Sequence, residues 1–138
     1  MIKQNRMPID VSGRLNLLEP LLSADSRILF AYIFGGLASG IQQPLSDVDI
    51  AVYLDGCVDK AEAKLDILGC ISAVLKTDEI DLVILNDAPI SLVGRIMRKK
   101  LLIADKQPFL RHKFESLALR QFFDFSRTEQ DILFRRFA

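Results

Sequence analysis

The run "RILFAYIF", residues 27–34, stops at Gly35-Gly36 and constrains the fold more than any other segment. It is continuously apolar, carries three aromatics and is too short for a buried helix, so it predicts a central strand. "SDVDIAVYL", residues 46–54, alternates polar and apolar at its start and predicts a second strand. Half of the 138 residues are apolar and 26% are charged, so a packed core is available and disorder is excluded. That length fits one domain, with a core over about 10–105 and a helical segment over about 107–137.

The remaining segments supply the cover. Asp10 or Ser12 can cap a helix through "GRLNLLEPLL", with Leu15, Leu18, Leu21 and Leu22 at helical spacing and Pro20 as a kink or an end. Residues 59–75 are strong helix formers, with Leu65, Leu68, Ile71 and Leu75 three and four apart. "EIDLVILN", residues 79–86, is a third strand. "PISLVGRIMRKK" opens on a proline suited to a helix start, and "LLIAD" adds an edge strand. From Gln107 to Phe137 there is no glycine and no proline after Pro108, which predicts one long helix with a break near Ser126 as the alternative. The order helix, strand, strand, helix, strand, helix, strand, helix predicts an α/β (α+β) domain, a small mixed sheet flanked by helices.

Composition excludes several functions. The 18 basic and 18 acidic residues cancel, so bulk charge does not coat nucleic acid, and no direct nucleic-acid contact is expected. Cys57 and Cys70 lack metal-like spacing and are expected as reduced thiols in or near the core. No apolar run approaches the ~18 residues of a membrane span, and the start "MIKQNRMPID" lacks a signal peptide's apolar stretch. A soluble cytoplasmic protein is expected.

The chemistry concentrates at the two glycines and three acids. Residues two apart on a strand share a face, so Asp47 and Asp49 project together while Val48 and Ile50 enter the core. Paired carboxylates repel each other unless a cation sits among their oxygens, and Mg²⁺ takes such hard ligands together with substrate phosphates. Asp81 faces the same pocket if its strand neighbours the first, as a third metal ligand or as general base. Gly35 and Gly36, followed by "LASGI", let backbone N–H groups approach an anion. Together these features describe nucleotidyl transfer from a nucleoside triphosphate.

"FGGLASGIQQPLSDVDIAV" resembles the signature of the nucleotidyltransferases related to DNA polymerase beta, which is Gly-Ser, ten residues, then Asp-x-Asp. "EIDLVILNDAPISLVGRIMRKKLLIAD" resembles the minimal nucleotidyltransferases, MNT or MntA, with their Asp-Leu-Val strand and Asn-x-Ala-Pro turn. The resemblance spans about residues 27–105. It implies a polymerase beta-like nucleotidyltransferase fold, a Mg²⁺ site at Asp47, Asp49 and Asp81, and ATP as substrate. It also implies a partner, a helical HEPN-domain ribonuclease toxin, for which such proteins are antitoxins that transfer AMP onto a tyrosine. The family's serine is Gly36 here, and a hydrogen bond to a charged group is worth about 1.5–3 kcal/mol, so weaker nucleotide binding is expected. Ser39 is a candidate substitute for the missing hydroxyl. A binding-only antitoxin and a small-molecule nucleotidyltransferase stand as alternatives.

Two further features stay open at this level. Arg95, Arg98, Lys99 and Lys100 either complement a helix dipole or contact phosphates or a partner. Seven of the nine phenylalanines fall after Gln107. Phe114, Ala118, Phe122 and Phe125 make a core stripe, whereas Phe123 and Phe137 fall off it and suggest a homo- or hetero-oligomer surface. His112, between Arg111 and Lys113, reads as a surface residue.

Overall fold

The computed structural model describes residues 16–35 and 48–137, with the backbone alone for Glu129 and residues 131–137. A helix over residues 16–24 (α1) leads into β1 (Ile28–Phe34). Then follow β2 (Val48–Leu54), α2 (Lys60–Leu75) and β3 (Ile80–Ile84). A 3₁₀ turn (Leu85–Asp87), α3 (Ile90–Arg98), β4 (Lys100–Asp105) and α4 (Pro108–Phe137) complete the order. The predicted order of helices and strands holds throughout. Asp10 and Ser12, the expected caps of α1, lie outside the described residues. Pro20 does not end α1, and α4 runs unbroken through Ser126.

The sheet order is β3-β2-β1-β4, so it is mixed: β1 runs antiparallel to both β2 and β4, and β2 runs parallel to β3. Because side chains alternate across a strand, this one sheet makes two cores. On one face Ala31, Ile33, Val48, Ile50 and Val52 meet Leu18 and Leu22 of α1 and Ala63, Ile67, Ile71 and Leu75 of α2. On the other, Phe30, Tyr32 and Ala51 meet Val93, Ile96 and Met97 of α3 and Ala118 of α4. Each of these large aliphatic side chains contributes about 1.5–3 kcal/mol on burial.

The stripe of α2 differs from the expected one. Leu65 is 73% exposed, and the buried line is Ala63, Ile67, Ile71 and Leu75. Both lines satisfy helical spacing, and contact with the sheet selects one. The cysteines also depart from expectation: both are free thiols, as foreseen, but both are exposed. Cys57 sits in the turn after β2, and Cys70 on the outward side of α2.

Local polar contacts fix the elements. The Asp59 carboxylate accepts from the Glu62 N–H at 3.2 Å and caps α2, and Lys76 closes that helix in the left-handed region at φ 55°. The Asn86 side chain accepts from the Leu54 N–H at 2.9 Å and donates to the Leu54 carbonyl at 2.8 Å, tying the 3₁₀ turn to the end of β2. Tyr32 donates to Glu115 at 2.5 Å, and Arg111 donates to both Glu115 (3.2 Å) and Asp105 (2.9 Å), fastening α4 to β1 and β4. Burial, then the Glu115 carboxylate, pushes the Tyr32 phenol far above its ordinary value, so it stays a donor.

At the α1–β1 junction Asp25 accepts from Arg27 through its backbone N–H at 3.0 Å and its guanidinium at 2.8 Å. The Arg27 hydrogen bond holds the Asp25 carboxyl below its usual range, against the opposing effect of burial. A depressed folded-state value stabilises above the unfolded value and loses that contribution as pH falls through the folded one. Asp25→Asn is therefore expected to lower stability at pH 7 by about 1 kcal/mol or less, and the gap from the parent should close below about pH 4. Denaturant titrations at both pH values check this, and an equal gap at both would contradict it.

Candidate functional site

The parallel pairing of β2 with β3 sets Asp49 directly beside Asp81 in register. Both side chains leave the sheet on the α3 face, since Ala51 and Val83, two residues further along each strand, pack in the core beneath α3 and α4. Asp49 also lies opposite Phe34 across the β1–β2 pairing, one residue before Gly35. Gly35 adopts φ +76°, and a β-carbon built there would stand 2.5 Å from Asp49 Oδ2. A side chain at 35 would suffer both the left-handed backbone and this collision, so glycine is needed for chain and carboxylate to pass so closely.

A cleft of about 360 Å³ opens at this corner, lined by Phe34, Gly35, Asp49, Leu92, Arg95, Arg98 and Lys99. The helix α3 explains its far wall. Leu92, Arg95 and then Arg98 and Lys99 recur at three- and four-residue spacing on one side, while Val93, Gly94, Ile96 and Met97 take the buried side. Lys100, the fourth member of the basic run, goes elsewhere: its ammonium stands 3.9 Å from Glu115 and 5.7 Å from the Tyr32 ring centre. The basic run is thus divided between Lys99, which caps α3, and Lys100, which opens β4. Three cations enter the cleft, and one joins the network beneath α4.

Of the expected site residues, Gly35, Asp49 and Asp81 are brought to one corner. Gly36, Ser39 and Asp47 lie outside the described residues. Among the described residues no group of three or more His, Cys, Asp or Glu side chains could hold a metal. The described donors do suit a hard cation: two carboxylates side by side on one sheet face, one of them half-buried against a glycine. Phe34 and Leu92 were missed as lining residues. Only the three- and four-residue spacing from Leu92 to Arg95 and Arg98 could have signalled that an apolar side chain shares a wall with the cations.

His112 is exposed, as expected. On α4 Phe114 and Ala118 join the core, Phe122 and Phe125 are half-buried, and Phe123 is 62% exposed, matching the expected stripe and its exception. The side chain of Phe137 lies outside what is described. Among the described residues no helix is long and apolar enough to cross a membrane.

A glycine turn at the end of β1 and the Asp49 carboxylate at the start of β2 thus border one cleft. The chain belongs to the Polymerase beta, Nucleotidyltransferase family, whose model matches residues 16–109. Among solved structures, one similar chain comes from a tri-AMPylated Shewanella oneidensis HEPN toxin in complex with MNT antitoxin. It aligns with a TM-score of 0.68 and 19% identity over 92% of this chain and 98% of that one. A toxin–antitoxin structure with AMP-PNP contains a chain with a TM-score of 0.71 and 21% identity, over 91% and 99% of the two chains. A chain of an MntA–HepT toxin–antitoxin structure gives 0.67 and 20%, over 92% and 99%. At these identities the likeness is one of fold. No curated protein matches the chain.

Proposed function

We propose that this protein is a Mg²⁺-dependent nucleotidyltransferase that moves AMP from ATP to a hydroxyl, a tyrosine in the first instance, of a HEPN-domain ribonuclease toxin, and so acts as its antitoxin. The observation that carries the reading is the pairing of Asp49 with Asp81 on one face, beside the Gly35 turn and a cationic cleft. The toxin as acceptor and the nucleotide as donor draw support from the fold-level likeness to chains from toxin–antitoxin complexes, one of them with AMP-PNP.

Asp47, Asp49 and Asp81 would hold the metal. When bound, Mg²⁺ neutralises phosphate oxygens and so lowers the barrier to attack. Gly35 and Gly36 shape the turn for the phosphates, and Ser39 is the nearby hydroxyl. In the transfer the acceptor oxygen forms a bond to the α-phosphorus, and the bond from that phosphorus to the α–β bridging oxygen breaks. Pyrophosphate leaves with that electron pair. Asp81 is exposed and stands beside Asp49 in the β2–β3 register, and an incoming hydroxyl can give up its proton to such a carboxylate. Incubation with α-labelled ATP, Mg²⁺ and the toxin encoded beside this chain tests the reading. Label should appear on the toxin, and an unlabelled toxin would overturn it.

Gly36 favours a second reading, a binding-only antitoxin whose site lacks one phosphate-binding hydroxyl. Gly36→Ser is expected to raise the rate of label transfer about tenfold or more, the worth of a hydrogen bond to a charged group. If the parent transfers nothing and the serine variant does, the binding-only reading holds.

A further inference from the structure

We propose that Arg95, Arg98 and Lys99 form the polyphosphate-binding wall of the cleft, an assignment that rests on the nucleotidyl-transfer reading above. Two cations at the end of a helix need no ligand to explain them, because its dipole favours them there. The arrangement here asks for more. Arg95 and Arg98 both belong to the last turn of α3, and together with Lys99, the residue that caps the helix, they line one cleft. The described ion pairs engage Arg27, Lys100 and Arg111 and none of these three. Lys100, their neighbour in sequence, is satisfied by Glu115. The wall therefore holds three cations facing a single described carboxylate, Asp49, across a cleft of about 360 Å³.

Like charges held together in one cleft repel, and an anion with several oxygens relieves that repulsion. The planar fork of arginine matches a phosphate with two parallel hydrogen bonds, and the ammonium of lysine adds a point charge. Asp49 on the opposite side disfavours a simple anion and suits one that carries a divalent cation. A triphosphate with its metal meets both demands, with phosphate oxygens for the cations and the metal for the carboxylate. The wall also suits the leaving step, because the charge that collects on pyrophosphate develops where the cations stand. In this chain that wall takes over part of the phosphate binding for which residue 36 offers no hydroxyl.

Calorimetric titration of the full chain with inorganic tripolyphosphate and, separately, adenosine, both with MgCl₂, tests the assignment. In Arg95→Gln, Arg98→Gln, Lys99→Gln combined, tripolyphosphate affinity is expected to fall at least about tenfold with adenosine affinity unchanged. A control with equal loss of charge, Lys64→Gln, Lys113→Gln, Arg120→Gln, should shift it less than about threefold. Arg95→Lys with Arg98→Lys keeps the charge and loses the forks, and should bind between the parent and the cleft variant. Failure of the parent to bind tripolyphosphate, or equal weakening in the cleft and control variants, overturns the assignment. Transfer with unchanged ATP KM in the cleft variant overturns it and leaves the transfer reading intact. Loss of tripolyphosphate binding in that variant, from a parent that never labels toxin, sustains the wall and removes the transfer reading.

Discussion

Asp49→Asn is expected to reduce label transfer from ATP by about a thousandfold while leaving the fold intact. The aspartate occupies the one described position where a carboxylate meets the Gly35 turn, the cationic wall of α3 and a second carboxylate, Asp81. Asparagine keeps the shape and removes the charge. A metal that stabilises transition-state charge contributes several kcal/mol, and about 4 kcal/mol is about three orders of magnitude in rate. Stability should change little, because the side chain is only half-buried and asparagine keeps its shape and an oxygen that accepts hydrogen bonds. A thermal midpoint within about 4 °C of the parent, measured beside the rate, separates chemistry from folding. A variant that keeps more than about a tenth of parental transfer would show that Asp49 does not bind the metal.

Gly94→Val is expected to have the largest effect on stability. Gly94 lies on the buried side of α3, and a β-carbon there would run into the ring of Phe122 on α4. The two helices pack closely because position 94 has no side chain. Valine adds three carbons to a space already occupied by an aromatic ring, and overpacking of a tight core costs about 1–3 kcal/mol or more. Phe122 cannot swing away without exposing part of the packing between α3 and α4. Urea unfolding should show a loss of at least about 2 kcal/mol. Phe122→Ala in the valine background should recover part of it, since the two sites share one space and do not add. Loss of stability equal in both backgrounds would mean that the collision is not the cause. Because α3 also carries Arg95 and Arg98, the valine variant is expected to bind tripolyphosphate less tightly as well.

Much of this was legible along the chain. The run 27–34 and the glycines after it had to be a strand and a turn, because the seven apolar residues after Arg27 are too few for a helix and glycine ends them. The alternation around Val48 and Ile50 turned Asp49 away from the core, and both valine and isoleucine are buried as that pattern required. Periodicity read less well on α2. Apolar residues lie on several sides of that helix, so spacing alone could not choose between the Leu65 line and the Ile67 line. Only contact with the sheet made the choice, and it left Leu65 and Cys70 in solvent.

What the sequence determined by itself was the set of elements, the glycine turn and the side of β2 from which Asp49 projects, since all three follow from local sterics and a two-residue repeat. Tertiary structure alone decided that β3 lies parallel to β2, which sets Asp81 beside Asp49 across 32 residues of chain. It also decided that α3 crosses that corner with Arg95 and Arg98, followed by Lys99, lining the cleft while Lys100 leaves for Glu115. Strand neighbours and helix crossings are settled by which apolar faces bury one another, and that competition involves the whole chain at once.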